Sequence, residues 1–461
     1  MNIGITWKVL RAAGDLARHE QWTRPRLELA QATQLRHLRE FAYARSPFYQ
    51  KFHRGKMDRP LSDLPVLTKS QLMEDFDELV TDRAVRLDAV RAHLDGDGAG
   101  RRYLGRYWVN ATSGSSGQPG IFLFDEDEWI RVLASFARAH EWAGVGVNLT
   151  HRMRMASVAS VSPWHMSSQV GATLRSWWMP ALRLAASEPI GETVSWLNGW
   201  QPEMLVAYAS MARVLADEQL AGRLNIHPHL VFTSSEVLTG ETRRRAEQAW
   251  GQSPLDQYGA TEVGDLAAEH SACRHMHTFD DLVIIEVVDE RHRPVPAGEY
   301  GAKLLVTSLF SRTQPLIRYE LNDSVRLGAA QDSCGLPFAI VDGIQGRTED
   351  VLSLPTAAGD SVDIQPLVFH RILDLLPVSG WQVTQDAPDR LTVLLSGSSD
   401  GIPERALAQR MRQALAAEGV GDLQVSILKI AVIPKNASGK SPLIKAYRHK
   451  AVTSRNRMRS G

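Results

Sequence analysis

The chain has little cysteine, no net charge and no long apolar run. Among its 461 residues there are two cysteines, Cys273 and Cys334, which is too few for a disulfide-stapled scaffold and favours a reducing compartment. Lysine plus arginine and aspartate plus glutamate both total 52, so a protein that holds nucleic acid mainly through its phosphates is disfavoured. No run of about eighteen apolar residues occurs, so no membrane span is expected. We predict a cytoplasmic protein that binds neither nucleic acid nor membranes.

What the chain contains is typical of a multidomain globular protein. Its length exceeds what one hydrophobic core usually supports. Residues 1 to about 90 carry helical spacing, with Thr68 or Ser70 as a helix cap, and between about 105 and 310 short apolar runs alternate with helical ones. That alternation predicts an α/β fold with layered sheets and helices. Predicted strands cover 155–161, 230–232, 282–288 and 303–307, and predicted helices cover 204–220 and 240–250.

A boundary is predicted near residues 346–350 (GRTED). Beyond it, two helical patterns and three short apolar runs indicate a small α+β domain of roughly a hundred residues. The predicted helices there cover 365–376 and 403–418, and the predicted strands cover 382–384, 391–395 and 423–430.

A loop rich in serine and glycine lies at residues 110–120 (NATSGSSGQPG), between two apolar segments typical of strands. Gly114 and Gly117 let the backbone turn its N–H groups inward. Such a loop can cradle phosphate oxygens. A solvated hairpin tip has the same composition, so the loop alone leaves both interpretations open. Its hydroxyl donors are Thr112, Ser113, Ser115 and Ser116.

Four further segments follow this loop in a fixed order: 257–264 (QYGATEVG), 316–323 (LIRYELND), 346–350 (GRTED) and 434–440 (PKNASGK). Together with the loop, they resemble the adenylate-forming superfamily of acyl-CoA synthetases and related ligases. Within it, the chain is most similar to the phenylacetate-CoA ligase-like branch. The likeness extends to 46–49 (SPFY) and 64–69 (LPVLTK), so it covers nearly the whole chain.

The resemblance implies a division of labour between two domains. Residues 1–346 would form a large layered domain that binds ATP and the acid. Residues 347–461 would form a small mobile α+β domain that carries the catalytic lysine. Glu349 matches the hinge about which that domain turns between the two half-reactions, a lid motion of a familiar kind.

Adenylation dictates which groups the site needs. A carboxylate attacks the α-phosphorus of ATP while pyrophosphate leaves, so negative charge must be met by cations and amide donors. The resemblance implies that Glu262 coordinates Mg²⁺, that Thr261 contacts the α-phosphate and that Lys440 reaches the carboxylate and the α-phosphate. Lys435 and Lys445 are competing lysines. The implied nucleotide-binding residues are Thr112, Ser113, Gly114, Ser115, Ser116, Gly117, Ser235, Glu236, Tyr258, Gly259, Asp323 and Arg347.

Within that set the resemblance places Asp323 and Arg347 on the ribose hydroxyls and Tyr258 beside the adenine and the acyl pocket. Taken singly, Glu262 also fits a surface carboxylate and Asp323 a turn residue. Residues 439–441 (GKS) suggest a phosphate-binding loop of the Walker type, but Pro434 stands where that motif requires glycine, which excludes it.

The chain departs from its relatives at three positions. Gln118 stands where related loops commonly carry lysine, which removes one cation from the pyrophosphate side. Asn322 stands where glycine often precedes the ribose-binding aspartate, and Glu349 replaces a common aspartate. An adenylate-binding scaffold without activity is therefore an alternative function.

Aromatic residues cluster at 162–168 (SPWHMSS) and 175–180 (RSWWMP). In the resembled branch this region walls the acid pocket, with Tyr258 and Gly259 as further substrate-binding residues. Trp164, His165 and Trp178 could sandwich a planar acid, which favours an aromatic substrate. A core role for the tryptophans explains them equally well.

A metal site is indicated around residues 269–277 (EHSACRHMH). His270, Cys273 and His277, with Cys334 from a later turn, would make a tetrahedral nitrogen and sulfur set suited to structural Zn²⁺. Related branch members carry cysteine or histidine at similar places. Two buried free cysteines beside a solvated histidine cluster are the alternative.

The resemblance implies an ATP- and Mg²⁺-dependent ligase that adenylates a carboxylic acid and passes the acyl group to CoA. The alternatives are transfer to an amine, forming an amide, and an adenylyltransferase that leaves AMP on a hydroxyl. The expected partners are the small acid and CoA or an amine acceptor. The expected assembly is a monomer or a homodimer.

Overall fold

The computed structural model describes residues 3–96, 98, 100–112, 119–145, 152–173, 179–328, 334–347, 351–364, 366–373, 376, 378, 380–396, 402–435 and 440–447. Several predicted residues lie outside these ranges: Ser113, Gly114, Ser115, Ser116, Gly117, Gln118, Trp178 and Glu349.

Internal contacts divide the chain into two units. The first comprises Met1–Thr348 together with Lys435–Ser441, and the second comprises Glu349–Pro434 and Pro442–Gly461. Lys440 is thus grouped with the first unit, although the segments before Lys435 and after Ser441 belong to the second. In the described part of the chain, no helix is both long and apolar enough to cross a membrane.

The first unit begins with helices, as the sequence predicted. They are α1 (Ile3–His19), α2 (Arg24–Arg45), α3 (Pro47–Phe52), α4 (Lys69–Glu74), α5 (Phe76–Leu79) and α6 (Leu87–Asp95), with a 3₁₀ turn at Leu61–Asp63. The predicted cap of α4 is Thr68, whose hydroxyl accepts from the Gln71 amide at 3.3 Å while the Gln71 side chain accepts from the Thr68 amide at 3.1 Å. This reciprocal pair satisfies two amides that a helix start leaves without partners.

The two N-terminal motifs hold a distant segment of the chain. The Tyr49 hydroxyl donates to the carbonyl of Pro315 at 2.9 Å. The Leu67 amide donates to the carbonyl of Arg318 at 3.0 Å, and the Glu320 amide donates back to Leu67 at 2.9 Å. The helical start therefore positions the strand that leads into the predicted ribose-binding motif.

A hairpin follows the helices. Strands β1 (Trp108–Ala111) and β2 (Ile121–Phe124) pair antiparallel, so the Ser/Gly loop connects two strands as predicted. Helix α7 (Glu126–Trp142) begins at Asp125, whose carboxylate accepts from the Glu128 amide at 3.0 Å. Helix α7 packs on α1 and on the large sheet.

The large sheet has a parallel half built from alternating strands and helices. Its strands are β3 (Met155–Ala159), β4 (Ala181–Ala185), β5 (Met204–Tyr208), β6 (Leu230–Ser234) and β7 (Leu255–Ala260), in the order β7-β6-β5-β3-β4. The connecting helices are α8 (Met166–Thr173), α9 (Ile190–Trp200), α10 (Ala209–Leu220) and α11 (Gly240–Trp250). The predicted helix over 204–220 was wrong in its first five residues, which form β5 between β3 and β6.

The remaining strands of the first unit are antiparallel. They are β8 (Gly264–Glu269), β9 (Met276–Thr278), β10 (Val283–Val288), β11 (Lys303–Ser308), β12 (Tyr319–Leu321), β13 (Asp323–Leu327) and β14 (Ile340–Arg347). β8, β9, β14 and β13 extend the large sheet beyond β7, giving nine strands in all. β10, β11 and β12 form a separate three-stranded sheet. The α/β class predicted from the sequence is confirmed.

The second unit is a small α+β structure. It contains β15 (Leu352–Pro355), β16 (Ser361–Ile364), α12 (Pro366–Leu373), β17 (Gly380–Ala387), β18 (Arg390–Ser396), α13 (Glu404–Ala417), β19 (Gln424–Ile430) and β20 (Ile444–Lys445). The strand order β19-β18-β17-β20 forms its main sheet. Leu407, Met411 and Leu415 of α13 are buried against this sheet in one apolar cluster, as their spacing predicted.

Candidate active site

The predicted nucleotide-binding residues gather where parallel strands end. Ser235 and Glu236 directly follow β6, and Thr261 and Glu262 directly follow β7. Because β6 and β7 are parallel, their carboxyl ends share one edge of the sheet. In open α/β sheets this edge is the usual place for a ligand. Glu262 is buried there, with 8% of its surface exposed.

Thr112 closes the mouth of the Ser/Gly loop. Its amide donates to the carbonyl of Gly120 at 3.0 Å, and its hydroxyl accepts from the Gly120 amide at 2.8 Å. The two ends of the loop are therefore held together by two hydrogen bonds. Residues 113–118 themselves lie outside the described part of the chain.

Trp164 and His165 lie beside β1. The Ala111 amide donates to the carbonyl of Trp164 at 2.9 Å, one residue before Thr112. Burial lowers the pKa of His165, and the positive charge of Lys440 lowers it further. Both effects favour the neutral imidazole. The structure thus brings one predicted acid-pocket segment next to the predicted phosphate loop.

Ser235 and Glu236 form a strained turn after β6. Ser235 adopts a left-handed backbone with φ of 66°, a conformation that non-glycine residues hold only where the surroundings impose it. The Glu236 carboxylate accepts from the Ser210 amide at 2.9 Å and from the Ser441 amide at 3.2 Å. Burial raises the pKa of Glu236, while the Ser210 hydrogen bonds and Lys440 act in the opposite direction.

Lys440 lies over an aromatic ring. Its Nζ is 5.2 Å from the ring centroid of Tyr208, at cation–π distance. Tyr208 ends β5, and its hydroxyl accepts from the Ser160 amide at 2.9 Å. The lysine therefore reaches the same strand edge as Glu236.

The two competing lysines are placed differently. Lys435 donates to the carbonyl of Ala186 and contacts the Met211 sulfur at 3.4 Å, and burial lowers its pKa. Lys445 lies in β20 of the second unit. Of the three lysines, the placement of Lys440 fits the predicted role best.

The predicted ribose and adenine residues meet across the sheet. The Tyr258 hydroxyl donates to the Asp323 carboxylate at 2.8 Å, although the two residues are 65 positions apart. Asp323 is also the direct antiparallel partner of Arg347 between β13 and β14. Three residues that the resemblance assigned to one nucleoside are thus neighbours.

A buried carboxyl lies beside Gly259. Asp265 of β8 is the antiparallel partner of Gly259, and its Oδ1 lies 2.8 Å from the point where a β-carbon at position 259 would stand. Asp265 was not predicted from the sequence, because a single residue in a short strand belongs to no recognisable motif. Tyr208 was missed for the same reason.

The predicted zinc residues are brought together, with one correction. Cys273 and Cys334 form a disulfide bond, so neither sulfur is a thiolate in this state and the alternative of two buried free cysteines was wrong. The donor atoms of His270, Cys273 and Cys334 lie within 4.8 Å of one another, and His277 Nε2 is 3.5 Å from the Cys273 sulfur. The sequence thus grouped the right residues but missed the bond.

Comparisons with known proteins place this site in context. No family model matches the chain. The phenylacetate-coenzyme A ligase of Thermus thermophilus is 23% identical over 374 residues, which cover 78% of this chain and 77% of that protein. The phenylacetate-coenzyme A ligase of Pseudomonas putida is 26% identical over 258 residues, covering 53% and 55%.

Solved structures with the same fold include a 2-hydroxyisobutyryl-CoA ligase in its postadenylation state with an acyl-AMP. It superposes with a TM-score of 0.69 at 20% identity, covering 94% of this chain and 91% of that one. MatB from Rhodopseudomonas palustris, bound to ATP, superposes at 0.51 with 15% identity, covering 72% and 65%.

These comparisons confirm the resemblance stated above. The fold is that of these CoA ligases of known structure, and the chain is similar to phenylacetate-coenzyme A ligases. The enzyme class predicted for the chain, an acid–CoA ligase, is that of these relatives.

Proposed function

We propose that the protein is an ATP-dependent ligase that adenylates a carboxylic acid and then transfers the acyl group to CoA. The observation that carries the proposal is the meeting of Tyr258, Asp323 and Arg347. An aromatic ring joined to a carboxylate by a hydrogen bond suits a nucleoside, because the ring can stack on the base and the carboxylate can accept from ribose hydroxyls.

In the first half-reaction an oxygen of the substrate carboxylate bonds to the α-phosphorus of ATP, and the bond to pyrophosphate breaks. The attacking group is already an anion, so no general base is needed. Lys440 would offset the negative charge that develops between the carboxylate and the α-phosphate, and Thr261 would donate to an α-phosphate oxygen. The loop closed by Thr112 would hold the leaving pyrophosphate through its amides and hydroxyls.

Glu262 fits a magnesium site by the chemistry of its donor. A buried carboxylate next to a strand end supplies a hard oxygen ligand, which Mg²⁺ takes together with phosphate oxygens. Bound there, the ion would neutralise charge on the triphosphate.

In the second half-reaction the CoA sulfur bonds to the acyl carbonyl carbon, AMP leaves, and the thiol proton passes to solvent. The hinge role of Glu349 and the turning of the second unit are part of this proposal. The acid is proposed to be aromatic, since Trp164 lies near the phosphate loop through the Ala111 contact. The cytoplasmic location and the monomeric or dimeric state stay predictions.

A structural zinc site is proposed for the reduced protein. Reduction of the Cys273–Cys334 bond by a dithiol would give two thiolates, which with His270 and His277 match the donors that Zn²⁺ prefers. Metal analysis after reduction and exposure to zinc tests this. About one equivalent is expected, and less than about a tenth of an equivalent would exclude the site.

The test of the reaction is acid-dependent exchange of labelled pyrophosphate into ATP. A carboxylic acid panel should reveal exchange, and adding CoA should then yield free AMP and a thioester. The Lys440→Ala variant should lose exchange by about a hundredfold or more, because charge stabilisation is lost in the transition state. Lys445→Ala, in the second unit, is the matched control and should keep it.

Each component can fail separately. No exchange with any acid would overturn the ligase assignment and favour the adenylate-binding scaffold. If an acid supports exchange but the protein then forms an amide with added amines and no thioester with CoA, the acyl acceptor is an amine and not CoA. Unchanged exchange in Lys440→Ala would mean that the lysine is misassigned.

A further inference from the structure

The buried carboxyl group of Asp265 lies against Gly259. Gly259 is exposed at the strand edge, whereas Asp265 opposite it is buried, with 3% of its surface exposed. Because Oδ1 of Asp265 lies 2.8 Å from the missing β-carbon, any side chain at 259 would press on the carboxyl group. The absence of a side chain at 259 thus lets the buried carboxyl group approach the exposed backbone of this residue.

The local strand geometry aims this side chain. The pairing of β7 with β8 shifts register between Tyr258 and Gly259, so that β8 carries one extra residue, Leu266, in a bulge. Bulges of this kind redirect side chains and occur often beside active sites. Here the bulge brings Asp265, rather than Leu266, opposite Gly259.

Two buried polar atoms on these strands have no hydrogen-bond partner among the residues that the structure describes. They are the Oδ2 of Asp265 and the Nε2 of Gln257. Gln257 lies two residues before Gly259 on β7, on the same face of the strand. Buried polar atoms are nearly always hydrogen-bonded, so two unmatched ones beside the exposed Gly259 point to a ligand that supplies the bonds.

Burial favours the neutral form of this carboxyl group. It raises the pKa of Asp265 well above its ordinary value of 3.8. A neutral carboxyl group can both donate and accept a hydrogen bond. It therefore matches a hydroxyl or an amino group and leaves an apolar group unmatched.

We propose that the acid substrate carries a hydroxyl or amino substituent, which hydrogen-bonds to Asp265 and Gln257 beneath Gly259. The inference rests on the proposed ligase function and on Gly259 as part of the acid pocket. It makes Asp265 a specificity-determining residue. A site built to hydrogen-bond such a group rejects the analogue that lacks it by large factors, because the site's own polar groups are then left unpaired.

The experiment compares acids in matched sets. Each set has a hydroxyl, an amino or a methyl group at the same carbon: ring-substituted benzoic and phenylacetic acids, and short aliphatic acids substituted at carbon 2 or 3. Pyrophosphate exchange is measured for each, and kcat/KM is compared within a set. In the best set the hydroxy or amino acid should exceed the methyl acid by about a hundredfold or more.

Variants of two aspartates then locate the effect. Asp265→Leu should reduce the preference within the best set to about tenfold or less, or reverse it, because the apolar side chain no longer rewards a polar substituent. Asp256→Asn is the matched control: Asp256 is also buried, on β7, but its carboxylate accepts from Thr233 Oγ1 at 2.8 Å. That variant should keep the wild-type ratio.

A second measurement does not require turnover. The infrared difference spectrum between the wild type and Asp265→Asn should contain one carbonyl band of a protonated carboxyl group, and in the wild type this band should shift when the hydroxy acid binds but not when the methyl acid binds. Equal rates for hydroxy and methyl acids, or an unchanged ratio in folded Asp265→Leu, would overturn the inference and leave the ligase assignment standing. Absence of exchange with every acid would overturn both.

Discussion

Two buried aspartates of the first unit, Asp281 and Asp265, lie in opposite electrostatic surroundings. The Asp281 carboxylate accepts two hydrogen bonds from Arg138, at 2.7 and 2.6 Å, and a third contact comes from His19 Nδ1 at 2.7 Å. The Arg138 charge and these contacts outweigh burial and hold the pKa of Asp281 at about 2. Asp265 is buried without such a cation, and burial alone raises its pKa.

The difference separates a structural group from a functional one. Asp281 joins α1 and α7, since His19 ends α1 and Arg138 belongs to α7. Its carboxylate oxygens already accept hydrogen bonds within the fold. Asp265 is not committed in this way, so its hydrogen-bonding capacity is available to a ligand beside Gly259. Burial is common to both residues, and the partners decide the sign of the pKa shift and the role.

Removing the cation should give the largest effect. Arg138→Met leaves Asp281 buried without its partner, and we expect the free energy of unfolding to fall by about 3–5 kcal/mol. Urea unfolding followed by circular dichroism measures this. The double variant with Asp281→Leu should recover most of the loss, because no charge then stays buried. A single variant as stable as the wild type would mean that the pair does not hold the fold together.

The pH dependence of Asp281 should come next in size. Its pKa is about 2 in the folded protein against an ordinary value of 3.8, so the folded state binds fewer protons between these pH values. The pair's contribution, roughly 2 kcal/mol by linkage, is complete above about pH 4 and is lost as the pH falls toward 2. Comparing acid unfolding of the wild type with Asp281→Asn measures it. A variant with the same acid slope as the wild type would contradict the assignment.

The protonation of Asp265 should change the stability of the fold with pH in the opposite direction. Because its folded pKa is raised, the folded state keeps a proton that the unfolded state releases, so its contribution is complete below about pH 4 and declines as the pH rises. Asp265→Asn should therefore be more stable than the wild type at neutral pH, with a difference that grows with pH. Urea midpoints at pH 4 and pH 7 test this. A destabilised variant at pH 7 would show that Asp265 has partners in the fold after all.

An exposed ion pair should have the smallest effect. Arg223 donates to Glu218 at 2.6 and 2.8 Å, but its side chain is largely exposed. Water stabilises the exposed Arg223 charge almost as well as Glu218 does, so the ion pair adds little to the stability of the fold. Arg223→Ala should leave the melting temperature unchanged within the error of scanning calorimetry. A clear drop would mean that short distances alone, without burial, determine the strength of a pair in this protein.

Local sequence signals predicted many elements of the fold. The helix over 240–250 was predicted with its observed ends, because Thr239 caps it and Gly251 ends it in a left-handed conformation. The strand at 204–208 was missed, since its short apolar run continues directly into α10 and periodicity cannot separate the two. Its place between β3 and β6 decides that it is extended.

The candidate site likewise combines residues that the sequence predicted with residues that only the structure reveals. Glu262, Asp323 and Lys440 stand in motifs whose order along the chain indicated the family, and the comparisons confirmed that indication. Their roles stay predictions. Asp265 belongs to no motif, and neither its burial nor its position opposite Gly259 can be seen without the bulge in β8. The Cys273–Cys334 bond likewise depends on two turns that are 61 residues apart.

Local spacing was enough to predict an α/β fold, because capping and periodicity are properties of neighbouring residues, and the order of the motifs carried the resemblance to the adenylate-forming superfamily. The tertiary structure alone decided which groups meet. Tyr258 reaches Asp323 only because β7 and β13 lie in one nine-stranded sheet. The protonation of Asp265 and Asp281 was decided there too, since burial acts on both residues but only Asp281 meets a cation contributed by a distant helix.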